Sequence, residues 1–162
     1  MLAQKTNQEG KIELELKKQG LTLPEAATPA ANYVPYVISG SQLFVSGQIC
    51  AWNGEVKFVG KLGKDFAVGE GQEAAKICAL NILAHAQAAL GSLDRVVRCI
   101  RLGVFVNSTP DFIDQPQVAN GASDLMVQLF GDKGKHSRFA VGVAQLPKGV
   151  AVEVDATFEI SK

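Results

Sequence analysis

Residues 138–160 read RFAVGVAQLPKGVAVEVDATFEI. The second half alternates strictly. Val150, Val152, Val154, Ala156, Phe158 and Ile160 fall on one side, and Ala151, Glu153, Asp155, Thr157 and Glu159 on the other. A period of two is the mark of a strand with one face on a core. The first half, Arg138 to Ala144, is a second strand-like run, and Leu146-Pro147-Lys148-Gly149 supplies the turn between them. Two closing strands joined by a turn point to a sheet built largely from hairpins.

Upstream, Glu70 to Leu90 carries Ala75, Cys78, Ile82, Leu83, Ala86 and Leu90 on one helical face, and Gly91 ends it. Glu73, Lys76, Asn81, His85 and Gln87 fall on the opposite side, which predicts a solvated His85. Val96 to Val106 is a strand rich in valine and isoleucine. Thr109-Pro110-Asp111 fits a helix start, Pro116 interrupts that helix, and a second piece runs from about Gln117 to Phe130. Nearer the N-terminus, Tyr33 to Ser39 and Leu43 to Ile49 flank Gly40-Ser41, a tight turn, and Asn53-Gly54 marks another. Thr6-Asn7-Gln8-Glu9 reads as a capping box for a helix from about Gln8 to Gln19.

Helix, paired strands, helix, strand, helix and paired strands make an α+β chain. The expected architecture is a largely antiparallel sheet with two main helices on one face, plus an extra N-terminal helix. Residues 1–28 read as that helix and an extended lead-in, and residues 29–162 as the domain proper.

Composition narrows the function classes. Lys plus Arg equals Asp plus Glu at 16 each, a formal net charge of zero, so the basic surplus of a tight nucleic-acid binder is missing. Three cysteines at wide spacing argue against a disulfide framework or a cysteine-rich zinc site and fit buried thiols. No basic-then-apolar leader opens the chain, and no run is apolar enough to cross a bilayer. A cytoplasmic protein without metal or organic cofactor is the simplest expectation.

Glycine-loop, zinc-helix and nucleophile-elbow signatures are absent. Arg138 is the leading candidate, because its planar fork suits bidentate capture of a carboxylate above the small residues Ala140, Gly142 and Ala144. Glu153 stands on the polar face of the last strand. Ser46-Gly47-Gln48 puts a glycine inside a strand, where a bulge can leave amides for a ligand. His136, in a Gly-Lys-rich loop beside Arg138, reads either as an exposed histidine or as the rim of an anion site.

Several blocks resemble the RidA/YjgF family, also called the endoribonuclease L-PSP or translation-inhibitor family. Pro29-Ala30-Ala31-Asn32-Tyr33-Val34-Pro35-Tyr36 is similar to its Pro-x-Ala-x-Gly-Pro-Tyr element, and Leu43-Phe44-Val45-Ser46-Gly47-Gln48 to its Phe-x-Ser-Gly-Gln strand. Ser137-Arg138-Phe139-Ala140-Val141-Gly142-Val143-Ala144-Gln145-Leu146-Pro147, closed by Val152-Glu153-Val154, is the strongest block. The resemblance implies a chorismate-mutase-like subunit and a homotrimer with clefts between subunits. It implies hydrolysis of enamines and imines such as 2-aminoacrylate to 2-keto acids and ammonia. The alternative is a non-catalytic trimeric binder of small carboxylates, and an endoribonuclease ranks third. By the same resemblance Arg138 grips the substrate carboxylate and Glu153 orients water. Tyr36 and Ser46-Gly47 line the site, and a helix asparagine falls near Ser123 or Asn120. Ala140 replaces a frequent cysteine. Partners beyond the chain itself and the small acid, whether membrane or nucleic acid, are not implied.

Overall fold

The computed structural model describes residues 9–28 and 31–162. A five-stranded sheet runs β1-β2-β7-β5-β6, and a two-stranded hairpin, β3-β4, stands apart from it. The strands are β1 Tyr36–Ser39, β2 Gln42–Ile49, β3 Ala51–Trp52, β4 Glu55–Val56, β5 Val96–Asn107, β6 Ser137–Val143 and β7 Val152–Ile160. The helices are α1 Lys11–Lys18, α2 Val68–Leu90 and α3 Gln115–Phe130. Only β5 and β6 pair in parallel, joined by the α3 crossover; the other neighbours in the large sheet are antiparallel. The α+β expectation and the largely antiparallel sheet hold.

The alternation in β7 translates directly into burial. Val152, Val154, Ala156, Phe158 and Ile160 are buried under the helices, and the residues between them are half-exposed. The closing strands are not a hairpin, however: β5 lies between β6 and β7. The chain leaves β6 at one edge and returns two places inward, so the Pro147–Gly149 turn is a crossover connection.

Helix α2 begins where Glu70 accepts from the Ala67 amide at 2.9 Å, and it ends at Gly91, whose φ of +79° is left-handed. Its alanines let it lie close to the sheet. The helix has no wet side at Asn81 or His85, which are 6% and 2% exposed. Asn81 donates to Ala51 O at 2.7 Å, so the β3-β4 hairpin covers the side that a helical wheel assigns to solvent. The expected solvated His85 is therefore corrected to a buried one.

Helix α3 is one continuous piece. Pro116 occupies its first turn, where a missing N–H costs nothing, so it starts the helix instead of breaking it. Thr109–Asp114 is a turn and not a first helical segment, with Phe112 N donating to Thr109 O at 3.2 Å. Strand β1 begins at Tyr36 instead of Tyr33, because Ser46 draws the preceding carbonyls to itself: its amide donates to Pro35 O at 2.9 Å and its hydroxyl to Val34 O at 2.8 Å.

The capping residues read at Thr6, Asn7 and Gln8 lie outside the described residues. Helix α1 starts at Lys11 and is capped from elsewhere in the chain. Asp94 accepts from the Lys11 and Ile12 amides at 2.8 and 2.9 Å. In return Glu13 accepts from the Leu93 amide at 2.8 Å, where the 3-10 turn Leu93–Arg95 begins. Each acid satisfies orphan amides of the other's turn. All three cysteines are free and buried, as expected.

Candidate functional site

Arg138, near the start of β6, points to the helix side of the sheet. It pairs across with Leu102, which is fully buried there. Its Nη1 donates to Asn120 Oδ1 at 2.9 Å and to Ser123 Oγ at 3.0 Å, and Nη2 donates to Pro116 O at 3.2 Å. Both residues that the resemblance offers as the helix partner thus touch the arginine. Asn120 and Ser123 are three apart on α3 and share a face. A guanidinium has five N–H groups. Three are spent on α3, and two have no partner among the described residues. That is the number a bidentate carboxylate requires.

The sequence leaves His136 as either an exposed loop histidine or the rim of an anion site, and does not reveal its link to the arginine. His136 Nε2 lies 2.9 Å from Ser123 Oγ, and Nδ1 lies 2.6 Å from Gly134 O. Ser123 Oγ already accepts from Arg138, so its own hydrogen is available to His136 Nε2. The network then assigns the proton to Nδ1, which donates to Gly134 O. The chain Gly134–His136–Ser123–Arg138 fixes the guanidinium on one side while its other side stays open.

Ala140 follows on the same face as Arg138 and packs against the core. The small row does not face the alanine-rich α2. A Cβ on Gly142 would stand 2.7 Å from Ser108 Oγ and 2.8 Å from Gln115 Nε2, at the approach to α3.

Glu153 lies elsewhere. In β7 it pairs with Phe105 of β5 and Ile49 of β2 and belongs to the sheet face away from the helices. The β2–β7 register shifts between Val45 and Gln48, so Gly47 has no ladder partner. The glycine lets the carboxylate come close: a Cβ there would overlap Glu153 Oε1, at 2.4 Å, and push the end of that side chain aside. Burial, and next the Asp155 carboxylate, push the Glu153 pKa above the ordinary glutamate range. The two residues open on a cavity of about 300 Å³, which Gln48, His85, Tyr33 and Lys148 also line. The Ser46 hydroxyl and amide hold Val34 and Pro35, which leaves Gly47 as the accessible half of the pair. Tyr36 pairs with Val45 and is half-buried against the core.

Five of the candidates therefore form two groups, Arg138 with Asn120 and Ser123, and Glu153 with Gly47, while Tyr36 belongs to neither. Strand order keeps them apart. Edge strand β6 is two places from β7 and three from β2, roughly 10 and 14 Å at ordinary strand spacing. The groups also belong to opposite faces. No group of three or more His, Cys, Asp or Glu side chains that could hold a metal occurs among the described residues. Burial pushes the Cys99 thiol up to about 12 and the Cys78 thiol well above its usual range, so neither is a ready nucleophile.

Two helices on one face of a largely antiparallel sheet, with an arginine held at the sheet edge, define a subunit of the chorismate-mutase-like kind. The chain belongs to the family described as "YjgF/chorismate_mutase-like, putative endoribonuclease", which matches residues 13–154. It is 54% identical to Protein TCP17 of Trypanosoma cruzi over 153 residues, covering 94% of this chain and 96% of that one. Among solved structures, Atu1372 of Agrobacterium tumefaciens superposes with a TM-score of 0.87 at 47% identity, covering 94% of each chain. E. coli TdcF, solved with bound serine, gives 0.60 at 28% identity and covers 86% of this chain and 94% of its own. No described helix is long and apolar enough to cross a membrane.

Proposed function

We propose that the chain binds a small carboxylate-bearing molecule between two copies of itself in a cyclic trimer, and hydrolyses an enamine or imine there. One observation carries the reading. Two open N–H groups of Arg138 on edge strand β6 and the desolvated Glu153 with its Gly47 gap, two and three strands inward, lie on opposite faces of one sheet. A rotation that brings the β6 edge of one copy against the β1-β2 side of the next completes the site. The serine bound to TdcF, a small acid bearing nitrogen, supports the ligand class.

In this reading Arg138 exchanges the carboxylate's water for two fixed donors. Glu153, whose carboxyl binds its proton more tightly than an ordinary glutamate, suits a general base at near-neutral pH. Water oxygen attacks the imine carbon as Glu153 takes a proton from that water. The nitrogen gains protons and leaves as ammonia when the C–N bond of the carbinolamine breaks, and the carbon becomes a keto group. An enamine first accepts a proton at carbon to reach the imine.

A binding-only role is favoured by one feature: Ala140 and the engaged Ser46 hydroxyl leave Glu153 with few polar helpers. Turnover of freshly generated 2-aminoacrylate separates the readings. Calorimetry with 2-ketobutyrate tests the site itself, with Arg138→Ala expected to abolish binding and Arg138→Lys to weaken it strongly. Light scattering should give about three times the 17.2 kDa chain mass. A 1:1 mixture of Arg138→Ala and Glu153→Gln chains, reassembled, should recover about a quarter of wild-type turnover if each site draws on two copies. Zero recovery would show that both residues serve from one chain. Unchanged binding in Arg138→Ala would remove the assignment.

A further inference from the structure

We propose that His85 is a ligand-binding residue of the Glu153 cavity and hydrogen-bonds the nitrogen-bearing end of a small amino or imino acid. This rests on the reading above and deepens it. His85 sits one helical turn after Asn81 on α2, and the contrast between the two is informative. Asn81 spends its amide on Ala51 O and Ile77 O at 2.7 and 2.9 Å. His85 is 2% exposed, lines the cavity, and its Nδ1 is buried without a hydrogen-bond partner among the described residues. Nδ1 has no accessible surface, so Nε2 is the ring nitrogen that can meet a molecule in the cavity, and a ring with no hydrogen bond among the described residues keeps that capacity free. Leucine, as at the neighbouring Leu83, would fill such a place without stranding a nitrogen.

The cavity is a built site. Its volume of about 300 Å³ is at the lower end for small-molecule pockets and far above the need of one water. Its polar wall is Glu153 and Gln48, the latter with its amide nitrogen already donating to Ser46 O at 3.0 Å. Lys148 also lines it but is exposed. Burial lowers the His85 pKa, so the ring is neutral and one nitrogen is an acceptor. The Glu153 carboxylate disfavours a second anion, and the neutral imidazole adds an acceptor nitrogen. They suit an amino or imino N–H, while the acid's own carboxylate goes to Arg138.

The chain holds only two histidines, so long-range ¹H–¹⁵N spectra of the rings can be assigned with one His136→Gln control. The probes are L-2-aminobutyrate and 2-ketobutyrate, which differ in nitrogen against oxygen at one carbon. The expectation is that L-2-aminobutyrate moves the His85 ring nitrogens. His85→Leu should weaken its binding about tenfold, the usual scale for one lost hydrogen bond in a closed site. Arg138→Ala should lose both probes. Should His85→Leu fail to fold, the ring shifts of the wild-type protein decide alone. Unmoved His85 nitrogens with probes still bound through Arg138 would overturn this inference and leave the carboxylate site standing. Neither acid binding to the wild-type protein would remove both.

Discussion

Replacing Gly121 by alanine is the most informative single perturbation of the scaffold. Glycine inside a helix costs about 1 kcal/mol relative to alanine, so propensity alone predicts that Gly121→Ala stabilises α3. The packing predicts the reverse. A Cβ at 121 would stand 2.0 Å from Gln72 O and 2.6 Å from Gln72 C, both backbone atoms of α2. An ordinary C···O contact needs about 3.3 Å, so the helices must separate by roughly 1.3 Å. Neither backbone can swing aside as a side chain would. Overpacking of this kind costs about 3 kcal/mol, at the high end of its range, which leaves a net loss of about 2 kcal/mol after the propensity gain. For a chain of this size that lowers Tm by about 4–8 °C. Gly69→Ala is the control, because nothing lies within 4 Å of its Cβ position, and it should gain about 0.5–1 kcal/mol. Urea titrations of both variants read these values. Asn120 flanks Gly121 on α3 and Ser123 lies two residues on, so the displaced helix should also weaken ligand capture by Arg138. A Gly121→Ala protein at least as stable as wild type would refute the close-approach reading.

Gly47→Ala should behave oppositely: its Cβ meets only the far end of the Glu153 side chain, so stability should change by less than about 1 kcal/mol while turnover falls at least tenfold. A loss of stability without loss of turnover would count against it. The raised Glu153 pKa means the folded state holds that proton more tightly than the unfolded chain. Stability should therefore fall as pH rises from about 4.3 through the folded value and then level; Glu153→Gln should lack that decline and be the more stable protein at neutral pH. Asp94→Ala strips two amides at the start of α1 of their acceptor and should cost about 1 kcal/mol, with faster proteolysis within Lys11–Lys18. Unchanged cleavage would show that Glu13 and Leu16 anchor the helix without Asp94.

Some of this is legible in the sequence alone, and the reason differs element by element. The alternation from Val152 to Ile160 and the alanine-rich face of α2 are local periodicities, and burial followed them. Arg138 could be chosen from its chemistry, and Asn120 and Ser123 from their place in the family's order. Pro116 was misjudged because the same residue can end one helix or begin another, and only the turn at 109–114 decides. His85 was misjudged because a helical wheel assumes one wet side, whereas a distant hairpin and lead-in supply a second cover. The separation of Arg138 from Glu153 was not legible at all. Fifteen residues and a turn suggest a hairpin, and nothing local in the sequence reveals that β5 inserts between its two arms.

The N-terminal segment changes meaning once the cavity is in view. Read alone, residues 1–28 divide from the rest, yet the family match begins at residue 13, inside α1. The contacts explain why the division does not separate scaffold from site. Asp94 and Glu13 cap each other's turns and fasten α1 beside the C-terminal end of α2. Leu21 and Leu23 pack against the core, the Glu25 amide donates to Asn53 Oδ1 at 2.8 Å, and Ser46 takes the Val34 and Pro35 carbonyls. Between these fixed points Ala27, Thr28, Tyr33 and Pro35 form one wall of the cavity that Glu153 and His85 share. The lead-in is therefore a wall held at both ends, and α1 is its upstream anchor. A ligand in that cavity would touch a wall held by Leu21, Leu23, the Glu25–Asn53 contact and Ser46, with Glu13 and Asp94 fastening the helix just upstream of it.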